Sequence, residues 1–192
     1  SNFLDSVNED SKIIQSKNKI NDEYVMAKID SERKHRKLSE LNIVDLRIFS
    51  FFSRFLEEKT NFFLTDVLNA LKYQKKLLTN NINIQRDYIH PYDLSEIILK
   101  LIKKQMINDV YDISSKKPTT KFEIIKFLKN NYNLKYKIDD EEKENTKINY
   151  FSTSKKFLKF GYCPKYTSIE TIKMEISQVL KEKNQKKLWI FT

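Results

Sequence analysis

The sequence predicts an α/β fold built around a parallel sheet. Short β-branched runs, such as residues 43–48, are typical of strands buried inside a sheet. Segments with apolar residues at helical spacing, such as 62–75, stand between these runs. With 192 residues, of which 40% are hydrophobic, the chain is long enough to bury a core.

The first predicted helix covers residues 22–41. Asn21 and Asp22 are typical N-cap residues, and Glu23 places an acid in the first turn. The charged run 32–37 is expected to form a solvated outer face of this helix, and His35 within it is given no functional role.

The later elements follow from periodicity and from capping signals. They are a strand over 43–48, a helix over 62–75, a strand over 85–89, a helix capped by Asp93, a strand over 109–113, a helix from Thr119 or Thr120 to Lys129, an edge strand over 133–138, a short helix over 152–160 stopped by Gly161, and a helix over 168–183. Glu123 lies three positions after Thr120, the spacing of a capping box. The expected apolar face of the helix after Asp93 comprises Leu94, Ile97, Ile98, Leu101 and Ile102.

Composition excludes several classes of protein. The net charge is +10, but lysine supplies nearly all of the positive charge and is spread along the chain, and no zinc finger or RNA-recognition signature is present. We therefore keep a basic nucleic-acid binder only as a minor alternative, and expect a small anionic ligand. The lone Cys163 and two separated histidines argue against a disulfide or a metal site. No apolar run is long enough for a membrane span, and a cytoplasmic location is expected.

Tyr24 and Lys28 form a candidate acid/base pair. Residues four apart on a helix lie one turn above each other on the same face, and Glu32 repeats the spacing. A phenol titrates near pH ~10, and a neighbouring ammonium group lowers its pKa. By spacing alone, a solvent-facing helix with one amphipathic tyrosine explains the pair equally simply.

Four landmarks follow Tyr24 and Lys28 in order. They are Leu-Arg-Ile-Phe-Ser at 46–50, Arg-Asp-Tyr-Ile-His-Pro-Tyr-Asp-Leu at 86–94, the segment 110–120, and Phe-Leu-Lys-Phe-Gly-Tyr at 157–162. In this order they resemble the second half of the extended short-chain dehydrogenase/reductases, the nucleotide-sugar epimerase and dehydratase family. The resemblance covers residues 20–175.

The resemblance implies an incomplete Rossmann-type parallel sheet, namely its last strand and helices, plus a small mixed α/β lobe that binds the substrate. Residues 1–60 would be the remnant of the dinucleotide-binding domain and residues 61–192 the nucleotide-sugar lobe. Gly161 is the single glycine, and it cannot form the Gly-rich turn that holds a dinucleotide's pyrophosphate. We therefore expect the carboxy-terminal portion of a longer enzyme, or a truncated relative.

The resemblance also implies the chemistry. Tyr24 would be the general base in the oxidation of a sugar carbon by NAD or NADP, and Lys28 would hold the nicotinamide ribose. Ser1 would hydrogen-bond the same sugar oxygen; Ser6 is the weaker choice. Epimerisation, dehydration and reduction all remain compatible with these residues, as does a non-catalytic nucleotide-sugar-binding or interaction module.

Further residues are implied for the ligands. Arg86 matches the arginine that binds the substrate's diphosphate, with an ion pair to Asp87 or Asp93 as the structural alternative. Phe49 would lie beside the nicotinamide. Ser50, which stands where the family usually has Asn, would donate to the substrate. Tyr88 shares the strand face of Arg86, so it would flank the ligand or pack in the core.

Two departures from the family pattern make the precise activity less certain than the fold. Phe52-Ser53 replaces a Tyr-Gly or Thr-Gly pair, and Asp112 replaces a common Asn. The resemblance also implies a homodimer formed through the Tyr24 helix and its neighbour, and a role in making the sugars of surface polysaccharides.

Overall fold

The computed structural model describes residues 23–56, 60, 62–104, 107–139 and 149–188, with side chains described between 26 and 181. In these residues the helices are α1 (Glu23–Lys37), α2 (Phe63–Lys72), α3 (Pro91–Ile102), α4 (Lys121–Tyr132), a 3-10 helix (Lys156–Phe160) and α5 (Ser168–Leu188). The strands are β1 (Ile43–Ile48), β2 (Ser50–Phe51), β3 (Leu77–Thr79), β4 (Gln85–Arg86), β5 (Tyr88–Ile89), β6 (Asn108–Ile113), β7 (Thr119–Thr120), β8 (Tyr136–Ile138) and β9 (Asn149–Tyr150). The predicted α/β class is confirmed.

The longest pairing joins β1 and β6 in parallel, with Ile43 opposite Asn108 and Ile48 opposite Ile113. This confirms the parallel pairing expected of strand 43–48. The pairs β2–β5 and β3–β8 are also parallel. Strand β4 lies between β7, which runs antiparallel to it, and β9, which runs parallel to it.

The expected strand over 85–89 is in fact two strands in different sheets. The chain leaves the first pairing at Asp87, whose buried carboxylate accepts hydrogen bonds from the Ser115 backbone N–H at 3.0 Å and from the Ser168 hydroxyl at 3.3 Å. Burial raises the pKa of Asp87, and these hydrogen bonds oppose that rise. A period-2 pattern carries no sign of this break, because the partners of Asp87 come from distant segments.

Helix α4 begins as predicted. The Thr120 hydroxyl accepts from the Glu123 N–H at 3.3 Å, and the Glu123 carboxylate accepts from the Thr120 N–H at 2.8 Å. Helix α3, by contrast, is capped by His90 and not by Asp93: the His90 Nδ1 accepts from the Tyr92 N–H at 3.1 Å. The predicted Asp93 cap was wrong because Pro91 already occupies the first helical turn, the position that proline favours.

Two other expected ends differ from the structure. Helix α1 ends at Lys37, four residues before the predicted Leu41. The short helix expected over 152–160 is a single 3-10 segment, and Gly161 ends it as predicted, with φ at +69°, a conformation that glycine adopts without strain.

The core consists of two apolar clusters. One joins α2, α4 and α5 and includes Phe52, Leu128 and Ile172. The other joins α3, β5, β6 and the 3-10 helix, and includes Ile97 and Phe157. Two residues of the expected α3 core face do not belong to it: Ile98 is half-exposed and Ile102 is 72% exposed. Helix α3 therefore buries fewer of its apolar residues than the sequence predicted.

The expected division at residue 60 is not a break in packing. Val44 and Leu46 of β1 contact the cluster that contains Ile97 of α3 and Ile113 of β6. The two-part division remains a prediction. Within the described residues no helix is long and apolar enough to cross a bilayer, and no three His, Cys, Asp or Glu side chains are grouped to hold a metal ion.

Candidate active site

Helix α1 is joined to β1 by a two-fold ion pair. The Arg47 guanidinium donates to both Glu32 oxygens, from Nε at 2.9 Å and from Nη2 at 2.6 Å. Both side chains are about three-quarters buried, at 24% and 21% exposure. The hydrogen bonds that Arg47 donates to Glu32 raise the pKa of Arg47 against the opposing effect of burial. This geometry matches a guanidinium fork on a carboxylate.

A second contact joins the same two elements further back along β1. Asp45 accepts from Arg36 Nη2 at 2.7 Å and approaches His35 Nδ1 at 2.9 Å. The prediction that run 32–37 is only a solvated face was therefore wrong, because Glu32, His35 and Arg36 all face the sheet. Charge alone does not distinguish such an ion-paired face from a solvated one.

These two contacts orient the helix. Asp45 contacts Arg36. Arg47 lies two residues later on β1 and contacts Glu32, which lies four residues earlier on α1. Helix α1 therefore runs antiparallel to β1. The distances agree with this, because a helix rises ~1.5 Å per residue and a strand ~3.3 Å, so four residues of α1 span about the same length as two residues of β1. Lys28, one turn before Glu32 on the same face, is thereby directed toward the carboxyl end of β1.

Of the predicted catalytic residues Tyr24, Lys28 and Ser1, only Lys28 has a side chain that the structure describes. Tyr24 lies in α1, but its side chain is outside the described part of the chain. Ser1 and its alternative Ser6 lie outside the described residues altogether. Lys28 is exposed at its place on α1.

Phe49 and Ser50 lie immediately after β1, at its carboxyl end. Ser50 begins β2 and stands opposite Tyr88 of β5. The Phe49 ring lies 5.1 Å, centroid to centroid, from the ring of Tyr150, with the planes tilted by 60°. The structure thus places Ser50 beside the strand that carries Tyr88, and Phe49 beside β9, which pairs with the strand of Arg86.

Arg86 is half-buried on β4, beside Tyr150 of the neighbouring β9. Its guanidinium carbon lies 5.8 Å from the Tyr150 ring centroid, and Nη1 donates to the Gln85 carbonyl at 2.8 Å. Burial lowers the pKa of Arg86, with the nearby Tyr88 and Tyr150 opposing this.

The carboxylates considered as structural partners of Arg86 are bound by other donors. Asp87 accepts from Ser115 and Ser168 as described above. Asp93 is fully buried and accepts from the Tyr162 hydroxyl and from the backbone N–H groups of Lys165 and Tyr166, the last two at 3.1 Å.

Tyr88 lies in the apolar core, with 8% of its surface exposed. Burial raises the pKa of Tyr88 to about 12, against the opposing effect of Arg86. Its backbone N–H donates to the Ser168 hydroxyl at 2.8 Å. Its position matches the core-packing alternative, and on the neighbouring strand it stands opposite Ser50.

Tyr150 and Asp112 are site residues that sequence reasoning did not select. Asp112 is the last but one residue of β6 and is fully buried; it accepts from the Ser152 hydroxyl at 2.7 Å and from Arg47 Nη1 at 3.5 Å. The segment carrying Tyr150 is thereby tied to Arg47 and, through it, to Glu32 of α1. Only the substitution of Asp for the family's Asn at 112 signalled this link; a two-residue strand such as β9 leaves no periodic signal.

The comparison with family models identifies the chain. Residues 6–114 match the model of the NAD dependent epimerase/dehydratase family. The chain belongs to this family. No curated protein sequence matches this epimerase/dehydratase family member significantly.

Solved structures support the family fold. The UDP-glucuronic acid 4-epimerase of Bacillus cereus, in complex with UDP-glucuronic acid and NAD, superimposes with a TM-score of 0.68 at 15% identity, over 81% of this chain and 51% of that one. The UDP-glucose 4-epimerase of Thermotoga maritima, with UDP-glucose, gives 0.70 at 18% identity, over 83% and 53%.

A third similar structure is the ADP-L-glycero-D-manno-heptose-6-epimerase of Helicobacter pylori, with a TM-score of 0.69 at 18% identity, over 87% of this chain and 53% of that one. At these identities the likeness shows the fold. This epimerase/dehydratase family member spans about half the length of the structures it resembles.

Proposed function

We propose that this chain is the carboxy-terminal part of an NAD(P)-dependent nucleotide-sugar epimerase, dehydratase or reductase. The observation that carries the proposal is the direction of α1. The Glu32–Arg47 ion pair directs the Lys28 face of that helix toward the end of β1 where Phe49 and Ser50 lie. This direction supports the proposal, because α/β proteins bind their ligands at the carboxyl ends of their strands.

In this proposal Tyr24 removes the proton of the sugar hydroxyl that is oxidised. Lys28 keeps the pKa of the Tyr24 phenol low enough for the phenolate to form. Ser1 holds the same sugar oxygen. A bound nicotinamide would supply the acceptor for the hydride that the sugar carbon loses. Spacing supports this assignment, since four residues of helix place Lys28 and Tyr24 successively above Glu32 on one face.

Substrate recognition is assigned to Arg86 and Ser50. A half-buried guanidinium that carries a desolvation cost gains from pairing with a diphosphate, whose oxygens it binds two at a time. Ser50 supplies a hydroxyl donor next to it. Tyr88 is the cross-strand neighbour of Ser50, and we keep it as a substrate-binding residue only in this indirect sense.

The residues present fit one end of the cofactor. Lys28 and Phe49 suit the ribose and the ring of the nicotinamide in either NAD or NADP. The only glycine, Gly161, ends the 3-10 helix and offers no phosphate-binding turn. We infer that the pyrophosphate is held by residues outside this chain.

The wider assignments follow from the same proposal. The partner is a nucleotide-diphosphate sugar, the location is the cytoplasm, and the pathway makes polysaccharide sugars. A homodimer through α1 would bring two such helices together. None of these requires a residue beyond those already named.

A second function has its own supporting observation. In the described residues Arg86 lies beside Tyr150, and Tyr150 beside Phe49, whereas no Gly-rich turn exists in the sequence. A non-catalytic nucleotide-sugar-binding or interaction module would use only the region around Arg86.

Calorimetric titration of the chain with UDP-glucose and dTDP-glucose tests binding. We expect Arg86→Lys to weaken binding about tenfold or more, because a lysine loses the bidentate contact. Arg33→Lys is the matched control, since Arg33 pairs only with exposed Asp30 on α1 in the described structure. Equal binding by Arg86→Lys and the unaltered chain would contradict the substrate assignment.

The protein encoded by the whole gene then separates the two functions. With NAD present, the enzyme proposal expects turnover of the nucleotide sugar that Tyr24→Phe abolishes while binding remains. If Arg86→Lys weakens binding and Tyr24→Phe changes nothing measurable, the binding module is correct.

A further inference from the structure

Tyr150 stands in a row of side chains across one face of the three-stranded sheet. Arg86 on the central β4 is flanked by Thr119 of β7 on one side and by Tyr150 of β9 on the other. Residues opposite each other on neighbouring strands point to the same face of a sheet. The pairing therefore places the Tyr150 ring beside the guanidinium of Arg86, as the distance of 5.8 Å confirms.

The same ring also contacts Phe49, which comes from a different part of the fold. The two centroids are 5.1 Å apart, and the tilt of 60° puts an edge of one ring toward the face of the other. Tyr150 thus contacts both Phe49 and Arg86. Its side is open, since 37% of the residue is exposed.

The order of these three groups matches the order of the parts of a nucleotide sugar. Under the proposed function, Arg86 binds the diphosphate and Phe49 lies by the nicotinamide. The reacting sugar is bonded to the diphosphate and must reach the nicotinamide, so it has to span the space between them. Tyr150 borders that space.

We propose that Tyr150 is a sugar-contacting residue, whose ring packs against the C–H face of the substrate's hexose; this inference rests on the proposed function. Pyranose rings present C–H groups on their faces and hydroxyls around their edge, and an aromatic ring covers the former without requiring the latter to lose water. Pockets for small ligands commonly combine such an aromatic wall with a few polar anchors.

The link to Asp112 keeps Tyr150 in place. Two residues along the chain, the Ser152 hydroxyl donates to the buried Asp112 at 2.7 Å, and its oxygen accepts from the Ser154 N–H at 3.0 Å. A two-residue strand would be a weak support alone, but this anchor holds the segment next to β4. Sugar specificity would therefore depend on Tyr150, and nucleotide binding on Arg86.

Calorimetry with paired ligands tests this division. UDP-glucose and UDP, and likewise dTDP-glucose and dTDP, differ only by the sugar. We expect Tyr150→Ala to weaken binding of the nucleotide sugar about three- to tenfold and to leave the diphosphate within about twofold, as expected for the loss of one aromatic contact. Tyr150→Phe should bind both like the unaltered chain.

Tyr92→Ala is the control. Tyr92 is also a half-exposed tyrosine with a cation, Lys165, over its ring at 4.6 Å, but it lies on α3. Equal weakening of sugar nucleotide and diphosphate by Tyr150→Ala, or no weakening, overturns the inference while leaving the proposed function intact. Failure of the unaltered chain to bind any of the four ligands overturns both.

Discussion

Arg47 holds Glu32 through two hydrogen bonds, of 2.9 and 2.6 Å, across the gap between β1 and α1. The same guanidinium faces the buried Asp112 at 3.5 Å. One side chain thus joins the helix that carries Tyr24 and Lys28 to both strands of the longest parallel pair. This contact, together with that between Arg36 and Asp45, gives the orientation on which the proposed chemistry depends.

Arg47→Lys should therefore destabilise the protein. A lysine reaches one oxygen of Glu32 but loses the paired geometry, so we expect the free energy of unfolding to fall by about 1–2 kcal/mol. Urea denaturation measures this. In a double-mutant cycle with Glu32→Gln, a coupling above about 0.5 kcal/mol is expected between residues in direct contact.

The control for this prediction is Arg33→Lys on the same helix. Arg33 and its partner Asp30 are 63% and 55% exposed, so the change should stay within about 0.5 kcal/mol. Strict additivity of Arg47→Lys and Glu32→Gln would show that the ion pair contributes nothing.

Asp93→Asn should be more costly. The carboxylate is fully buried and accepts from the Tyr162 hydroxyl and from the N–H groups of Lys165 and Tyr166. Burial, and secondly the hydrogen bond to Asp93, raise the pKa of Tyr162, so its hydroxyl stays a donor. The amide of the new asparagine would turn its own N–H toward a backbone N–H at one of these positions. We therefore expect the free energy of unfolding, measured by thermal or chemical unfolding, to fall by about 2–3 kcal/mol. Asp30→Asn should change little by comparison, and a similar loss for both variants would refute the role of the buried network.

His90 should make stability depend on pH. Burial lowers the pKa of His90, whose ring lies 4.3 Å from that of Tyr166. The unfolded chain takes up this proton near pH ~6.5, and the folded chain does so only at lower pH. The unfolded state therefore binds more protons in that interval, and the free energy of unfolding falls as the pH drops below about 6.5.

His90→Asn isolates that effect, because asparagine can still cap α3 in place of the ring. Urea denaturation between pH 7.5 and 5.5 should show a smaller decrease in stability for His90→Asn than for the unaltered protein. The difference is bounded by about 1.4 kcal/mol per pH unit. Parallel pH profiles for the two proteins would refute a lowered pKa at His90.

Gln74→Gly should stabilise the end of α2. Gln74 has φ at +53°, and the Lys75 N–H that follows it closes the helix on the Ala70 carbonyl at 2.9 Å. A side chain in this left-handed conformation costs roughly 1–2 kcal/mol, and glycine avoids this cost. Glycine also makes the unfolded chain more flexible, which offsets part of the gain. We expect a net gain below about 1 kcal/mol in the free energy of unfolding.

Two comparisons separate backbone strain at Gln74 from other causes. Gln74→Ala keeps the strain and should not stabilise. Asn133→Gly, at the other left-handed position with φ at +53°, should gain less, because asparagine tolerates this conformation. A gain for Gln74→Ala equal to that for Gln74→Gly would contradict the explanation.

Local signals in the sequence predicted the elements that depend on near neighbours. Thr120 and Glu123 interact across three residues, so their capping box could be read directly. The strand 43–48 was predicted from its composition. Its pairing with the strand predicted at 109–113 was not, because that strand was assigned to the substrate lobe. The landmarks around Phe49 and Arg86 were likewise recognisable before any coordinates.

Other features depend on partners far along the chain. The break at Asp87 needs Ser115 and Ser168, which lie 28 and 81 residues away. The ion-paired face of α1 needs Asp45 and Arg47, and a charged run looks the same whether its partner is water or a strand. Tyr150 could not be selected, because a two-residue strand has no periodicity to detect.

By itself, then, the sequence determined the α/β class, the order of most elements and the family resemblance, because helix caps, apolar periodicity and ordered motifs are properties of short segments. Only the tertiary structure decided that Glu32 faces Arg47, that His90 caps α3, and that Tyr150 contacts both Phe49 and Arg86. Each of these depends on which distant groups fill the space around a side chain, and that is settled by packing and by the hydrogen bonds available after the chain has folded.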